Sequence, residues 1–327
     1  MLEDIRRLVA QNGVSGNETS VAQYIKESIM PYADKVYTDV LGNLVAVKRG
    51  NGPRVMLMAH TDEIGLVATF VDENGFVRVS AVGGVTPSDF INCHITFENG
   101  VRGVFTCDKP KDAKFSDYYV DIGSKSRDDA LLRIDIGMTA RFDADTYETP
   151  HTIVSKALDD RIGCYILMKV LQNMPKTDAE VYFVFTSQEE VGLRGARVAG
   201  FDISPDVAIA VDVTIAADTP DCENHGCKLH GGAAIKVRDA SAICSKRVID
   251  ALENVAKSRN IPTQRDVLTA GGTDIGAVQC AGKGALTGGV SVAVRNVHTV
   301  SETASKSDIK AAINLLIAYI EKGIENN

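Results

Sequence analysis

No stretch of this sequence approaches the roughly 18 consecutive apolar residues that would mark a membrane-spanning helix. An excess of basic charge is missing as well. Lysine and arginine total 35 against 43 aspartates and glutamates, giving a formal net charge of −8 and a pI near 5.3. A generic nucleic-acid binder carries a basic face, so no nucleic-acid partner is expected. Cysteine is sparse: seven in 327 residues, odd in number and without the spacing of a small disulfide-framed domain. Reduced thiols in a cytoplasmic protein are therefore expected. The N-terminus reads Met1-Leu2-Glu3-Asp4-Ile5-Arg6-Arg7, with acidic residues where a secretion signal needs a basic start and an apolar run. Internal repeats and low-complexity segments are absent too. What remains is an ordinary globular composition, 45% hydrophobic and 24% charged, long enough for about two domains.

The pattern of elements changes twice along the chain. Helical stripes at Leu2–Val9 and Val21–Ile29 open it, with Asn17 or Thr19 as the expected cap of the second. Short strands follow at Val36–Asp39, Leu44–Lys48 and Val55–Ala59. From about Gly65 to Pro150 short alternating runs are separated by turns such as Glu73-Asn74-Gly75 and Glu98-Asn99-Gly100, the signature of hairpins. Within this module Asp108–Tyr118 reads as a charged, mobile loop. Beyond Ile153 helix and strand alternate again: helices at Asp160–Leu171, Leu193–Ala199, Ile243–Arg259 and Ser307–Glu325, strands at Val181–Thr186, Val207–Val211 and Val290–Val294. In the last helix Ile309, Ile313, Leu316, Ile317, Ile320 and Ile324 share a face, and Ser307 is the expected N-cap. The expected fold is α/β, a mixed, mostly parallel sheet flanked by helices and interrupted by a β-rich insertion.

The informative polar residues sit where apolar strands end. Met56-Leu57-Met58-Ala59 runs into His60-Thr61-Asp62-Glu63, Val181–Thr186 into Ser187-Gln188-Glu189-Glu190, and Val207–Val211 into Asp212. Val290–Val294 leads to Asn296-Val297-His298, and Asp159-Asp160 precedes a helix. Open α/β sheets gather ligands at the carboxyl ends of their strands. Taken singly, a strand-terminal Asp is usually a turn residue, and Glu189-Glu190 a solvated helix start. Taken together, two histidines and several carboxylates form the donor set of a hard or borderline divalent metal pair. His60 and Asp62 share a face in extended chain, which lets Asp62 accept the second ring N–H of a metal-bound His60.

Seven segments, in order over essentially the whole chain, carry a family resemblance: Gly13–Glu18, Met58–Gly65, Lys156–Arg161, Gln188–Gly192, Val211–Thr214, Gly271–Asp274 and His298–Glu302, with Asp121–Ser126 in the insertion. The sequence resembles the TET-type dinuclear metallo-aminopeptidases, the glutamyl and leucyl aminopeptidase relatives once described as endoglucanases. The resemblance implies a zinc-peptidase-like fold, with a catalytic domain of residues 1–66 and 154–327 and a β-barrel-like oligomerisation insertion of residues 67–153. It implies two divalent ions (zinc, cobalt or manganese): His60 and Asp212 on one, Glu190 and His298 on the other, Asp159 bridging. It makes Glu189 the general base and Asp62 the residue that orients His60, and it implies a cis Asp159-Asp160 bond. Short peptides would be the substrates, and dimers built into tetrahedral dodecamers the assembly. Two alternatives stay open: a glycosidase, against which stands the adjacency of Glu189 and Glu190, and a non-catalytic assembly protein, against which stands the complete ligand set.

The sequence departs from that family in places. The segment Asp221–Ala233 replaces a usual Lys-Gly-Pro-like turn and is expected near the active site. Cys222, His225, Cys227 and His230 within it are spaced irregularly and read as a plain loop, not a zinc knot. Gly271-Gly272-Thr273-Asp274 lacks the lysine of a phosphate loop and reads as a tight loop lining the substrate pocket. His94 and His151 read as structural.

Overall fold

The computed structural model describes residues 1–222 and 226–322. Its centre is a mixed sheet of eleven strands. Four continuous apolar runs, Glu180–Thr186, Arg54–His60, Val207–Ile215 and Leu286–Arg295, lie side by side in parallel at its heart. Such runs suit strands covered on both faces. The margins are antiparallel. Lys35–Thr38 and Leu44–Lys48 extend one side; Glu302–Ser305, Thr152–Ser155 and Tyr147–Glu148 extend the other. Ala233–Arg238 and Thr263–Val267 branch from Leu286–Arg295. The helices Leu158–Gln172, Arg194–Ile203, Lys246–Arg259 and Lys306–Lys322 pack against this sheet.

The second unit is a closed barrel of Gly65–Val71, Val77–Val82, Tyr119–Asp121, Arg102–Thr106, Cys93–Phe97 and Thr139–Phe142. Closure leaves no sheet edge unpaired. Gly75 and Gly100, at the two expected hairpin turns, hold φ of +91° and +88°, which a glycine reaches without strain. An aromatic cluster fills the barrel, with Phe90 stacked on Phe142 at 3.9 Å and Phe105 on Tyr118 at 5.1 Å between centroids. Tyr118 is only 1% exposed. The far end of the expected Asp108–Tyr118 loop is thus built into the barrel, through a short 3₁₀ turn at Phe115–Asp117. An aromatic anchor outweighs the charge of its neighbours there.

Two helix starts differ from expectation. The helix Thr19–Ile29 has no side-chain cap from Asn17 or Thr19. Asn17 donates instead to Glu98 and Thr139 of the barrel, and Glu18 accepts the backbone N–H groups of Gly16 and Gln188. At the last helix, Ser305 and not Ser307 accepts the N–H of Asp308, at 3.4 Å, because the helix begins one residue early at Lys306. Ile324 and Glu325 lie outside the described residues.

The chain passes between sheet and barrel twice. It leaves through His60–Ile64 at the end of the Arg54–His60 strand, and it returns along Thr152–Ser155 into Lys156–Asp159. Glu63 and Lys156, one from each passage, form a buried ion pair, and Arg161 adds a second bond to Glu63 at 3.2 Å. Removing one partner of such a group leaves an uncompensated buried charge. Both passages therefore arrive at the sheet's carboxyl edge in fixed positions.

Candidate metal centre and active site

The strand register sets the site. His60 stands opposite Thr186 at the end of one parallel pair, and Asp212 lies two residues past the last pairing of its strand with Arg54–His60, Ala210 with Met58. Strand ends at one level bring Glu189, Glu190 and Asp212 close to His60. The Asp159-Asp160 peptide is cis, and both residues depart from helical φ/ψ at the start of the helix that follows. Gly163 keeps that helix near: a Cβ there would sit 2.5 Å from the Asp160 carboxylate and from the Val211 carbonyl.

His60 Nε2 lies 3.0 Å from Asp159 Oδ1, and His298 Nε2 lies 3.3 Å from Asp159 Oδ2. One carboxylate thus spans both histidines, one oxygen to each. His298 Nε2 is also 3.1 Å from Glu190 Oε1, and Glu189 Oε2 is 3.9 Å from His60 Nε2. Asp212 completes a second close group with His60 and Asp160. All five expected donors, and the Glu189 expected to act as base, line one cleft of about 600 Å³. Asp62 lies behind it, fully buried.

Asp62 is engaged differently from the simple expectation. The His60 Nδ1 nitrogen is 3.0 Å from the Asp62 backbone carbonyl and 3.4 Å from its carboxylate. The carboxylate instead accepts from Ser15 Oγ at 2.6 Å and from the backbone N–H groups of Glu189 and Glu190 at 3.0 and 3.1 Å. Asp62 therefore fixes His60 largely through its main chain, and it holds the Glu189-Glu190 backbone through its side chain.

Three further carboxylates were not assigned a role from the sequence. Glu302 accepts the N–H of Asp159 on one oxygen at 3.0 Å and the N–H of His298 on the other at 2.8 Å. Asp160 accepts the N–H groups of His60 and Gly163 at 3.1 and 3.0 Å, so both its oxygens are committed to backbone. Asp274 accepts Thr186 Oγ1 at 2.5 Å beneath the cleft. All three lie inside matching segments, but nothing in local spacing separates a residue that holds a ligand from the ligand itself.

The electrostatics test whether cations fit. Burial pushes the Glu189 carboxyl well above its ordinary range, and the charges of Asp212, Asp274 and Glu190 add to the rise against the opposing pull of His60. Burial likewise carries Asp212 up to about 7. For Asp159, burial works upward, but the bonds from His298 and His60 overcome it and hold the carboxyl low. Burial opposes charge on His298, yet Asp159 and Glu190 raise it to about 11. The cluster is short of positive charge and draws it from its imidazoles. Buried anions at this density are stable only when paired or bound to metal. Imidazole and carboxylate donors suit zinc, cobalt or manganese, and no thiol takes part.

The Asp221–Ala233 segment lies elsewhere. None of its described residues lines the cleft. Cys227 and Leu229 pack with Ala216, Ala234 and Ala293, and His230 Nδ1 meets Ser305 Oγ at 3.0 Å. His225 lies outside the described residues, and among the described ones Cys222, Cys227 and His230 form no metal-binding group. Gly271, Gly272 and Thr273 do line the cleft, as expected.

Comparison with known proteins places this geometry. The profile of the M42 glutamyl aminopeptidase family matches residues 42–315. A putative aminopeptidase of Acetivibrio thermocellus is 47% identical over 324 residues, covering 98% of each chain. Among solved structures, an aminopeptidase from the archaeon Desulfurococcus kamchatkensis superposes with a TM-score of 0.95 at 33% identity, covering 100% of this chain and 98% of that one. The TET1 peptidase of Pyrococcus horikoshii, described as assembling into a tetrahedron or a large octahedral shell, matches with a TM-score of 0.90 at 29% identity and 98% coverage of each chain.

Proposed function

From the premise that this chain belongs to the M42 glutamyl aminopeptidase family, and is an aminopeptidase that hydrolyses peptides, we propose that it works with two divalent metal ions and a glutamate base. The observation that carries the reading is the Asp159 carboxylate, with one oxygen 3.0 Å from His60 and the other 3.3 Å from His298. His60 and Asp212 would hold one ion, Glu190 and His298 the other, and Asp159 both. Zinc, cobalt and manganese all suit imidazole and carboxylate donors. Bound there, a metal pair supplies Lewis acidity, lowering the pKa of water toward neutrality and polarising the scissile carbonyl.

The chain's own residues do the rest. Glu189 takes the proton of the attacking water and returns it to the leaving amine. Its burial and its carboxylate neighbours favour the protonated form, which helps it take up and hold the proton. Asp62 holds the Glu189 N–H and so fixes where that carboxylate starts from. Glu302 ties Asp159 and His298 into one frame. The anionic end of the cleft receives the free α-amine of a peptide, which limits cleavage to the terminal bond.

We assign catalysis to residues 1–66 and 154–327 and assembly contacts to residues 67–153. In support, Leu132 and Ile136 of the inserted segment are 85% and 53% exposed. The described P. horikoshii assemblies support a homo-oligomer, dimeric to dodecameric. No helix among the described residues is long and apolar enough to cross a membrane. All seven cysteines are free, which supports a cytoplasmic setting.

The test uses one short peptide in two forms, free and N-acetylated. Stepwise loss of residues from the free form only, abolished by chelator and restored by added zinc, cobalt or manganese, is the expected result. Cleavage of both forms, or cleavage indifferent to chelator, refutes the reading.

A further inference from the structure

The cleft is divided in its chemistry. Its titratable lining residues are His60, Asp159, Glu189, Glu190, Asp212 and His298; every other described lining residue is uncharged. Leu193, Ile215, Leu268 and Val297 are the larger apolar residues of this lining that lie outside the fully buried core, and Gly271-Gly272 supply bare backbone. Ile215 ends a strand that is otherwise buried throughout, yet is itself 55% exposed at the rim of the cleft.

Resting on the aminopeptidase reading above, we infer that this wall is the side-chain subsite, and that it selects an uncharged, apolar N-terminal residue of leucine or phenylalanine size over both glutamate and lysine. A glutamate side chain placed against this wall finds no lysine or arginine among the described lining residues. The buried cations Lys236 and Lys156 are already paired, with Asp266 and Glu63. A lysine side chain has the opposite difficulty. The only carboxylates among the described lining residues are those assigned to the metals and the base, so its ammonium would be desolvated against leucine and isoleucine without a partner. An apolar side chain covers Ile215 and Leu268 and leaves no buried polar group unpaired. The family description names glutamate; this cleft wall does not suit it.

The test measures kcat/KM for aminoacyl-p-nitroanilides of leucine, phenylalanine, alanine, lysine and glutamate, with the full chain loaded with metal. Leucine or phenylalanine should lead. Each should exceed lysine and glutamate by about 100-fold or more, and alanine by about tenfold, the scale set by missing methylenes in an apolar pocket. Lysine or glutamate within tenfold of leucine overturns the inference and leaves the aminopeptidase reading intact. Failure to turn over any free-amine substrate overturns both. Leu268→Glu is the internal check: it should raise the lysine-to-leucine ratio by about tenfold or more. A ratio gains nothing from partial loss of folded enzyme, so an unchanged ratio removes Leu268, and with it this wall, from the subsite.

Discussion

At the scale of single residues, the site is a competition for a few oxygens. Asp159 gives one to each histidine, Glu302 gives one to each of two backbone N–H groups, and Asp160 spends both on backbone. Glu189 is held less tightly: its backbone N–H is tied to Asp62, and its carboxylate comes no nearer than 3.9 Å to His60 Nε2. That freedom suits a group which must accept a proton and release it. Glu189→Gln keeps the shape and removes the basicity. It should lower kcat by about 10²- to 10⁴-fold, while metal content, read by elemental analysis, stays at the wild-type ratio. Loss of metal along with rate would mean that Glu189 is a ligand. Residue chemistry of this kind is only half legible in sequence. The donor types at strand ends are plain in His60, Asp159, Glu190, Asp212 and His298. Which oxygen faces which nitrogen is not, and so Asp62 was expected to orient His60 by its carboxylate where the closer contact is its carbonyl.

At the scale of elements, continuous apolar runs located the four central strands to within a few residues, because a strand covered on both faces has no polar period to obscure it. Caps were harder. Ser305 and Ser307 are both serines near the start of the last helix, and local pattern does not distinguish them. Tertiary contact does: Ser305 ends the strand paired with Thr152–Ser155, so the helix must start directly after it. Ser305 also meets His230 Nδ1 at 3.0 Å and Ser307 Oγ at 2.8 Å. Ser305→Ala should therefore lower unfolding free energy by about 1 kcal/mol, typical of a lost cap, and Ser307→Ala by less. Urea midpoints of the two variants provide the comparison. The reverse order would return the cap to Ser307.

At the scale of the whole molecule, the barrel is an excursion taken between two site segments. The chain leaves the sheet through His60–Ile64 and comes back through Lys156–Asp159, and the Glu63–Lys156–Arg161 group locks the two passages together. A β-rich insertion was legible from its hairpin glycines and alternating runs. Its closure was not, because pairing between Gly65–Val71 and Thr139–Phe142 spans the entire module and leaves no local mark. Assembly belongs to this scale. Light scattering on the purified chain should report a mass well above the 35.0 kDa of one copy, and Leu132→Glu with Ile136→Glu should reduce it if the barrel face is buried between copies. A monomer in the unsubstituted chain would refute the proposed shell.

The five proposed donors come from residues 60, 159, 190, 212 and 298, so the proposed centre is scattered over most of the polypeptide. During synthesis the first donor leaves the ribosome long before the last. Domains emerge from the N-terminal end first, yet a nascent chain that has not reached His298 lacks the second nitrogen and the strand that carries it. If the proposed donors are the ligands, unfinished chains lack a complete centre until His298 has been made. On the proposed assignment, this hydrolase acquires its chemistry only when almost all of it has been made.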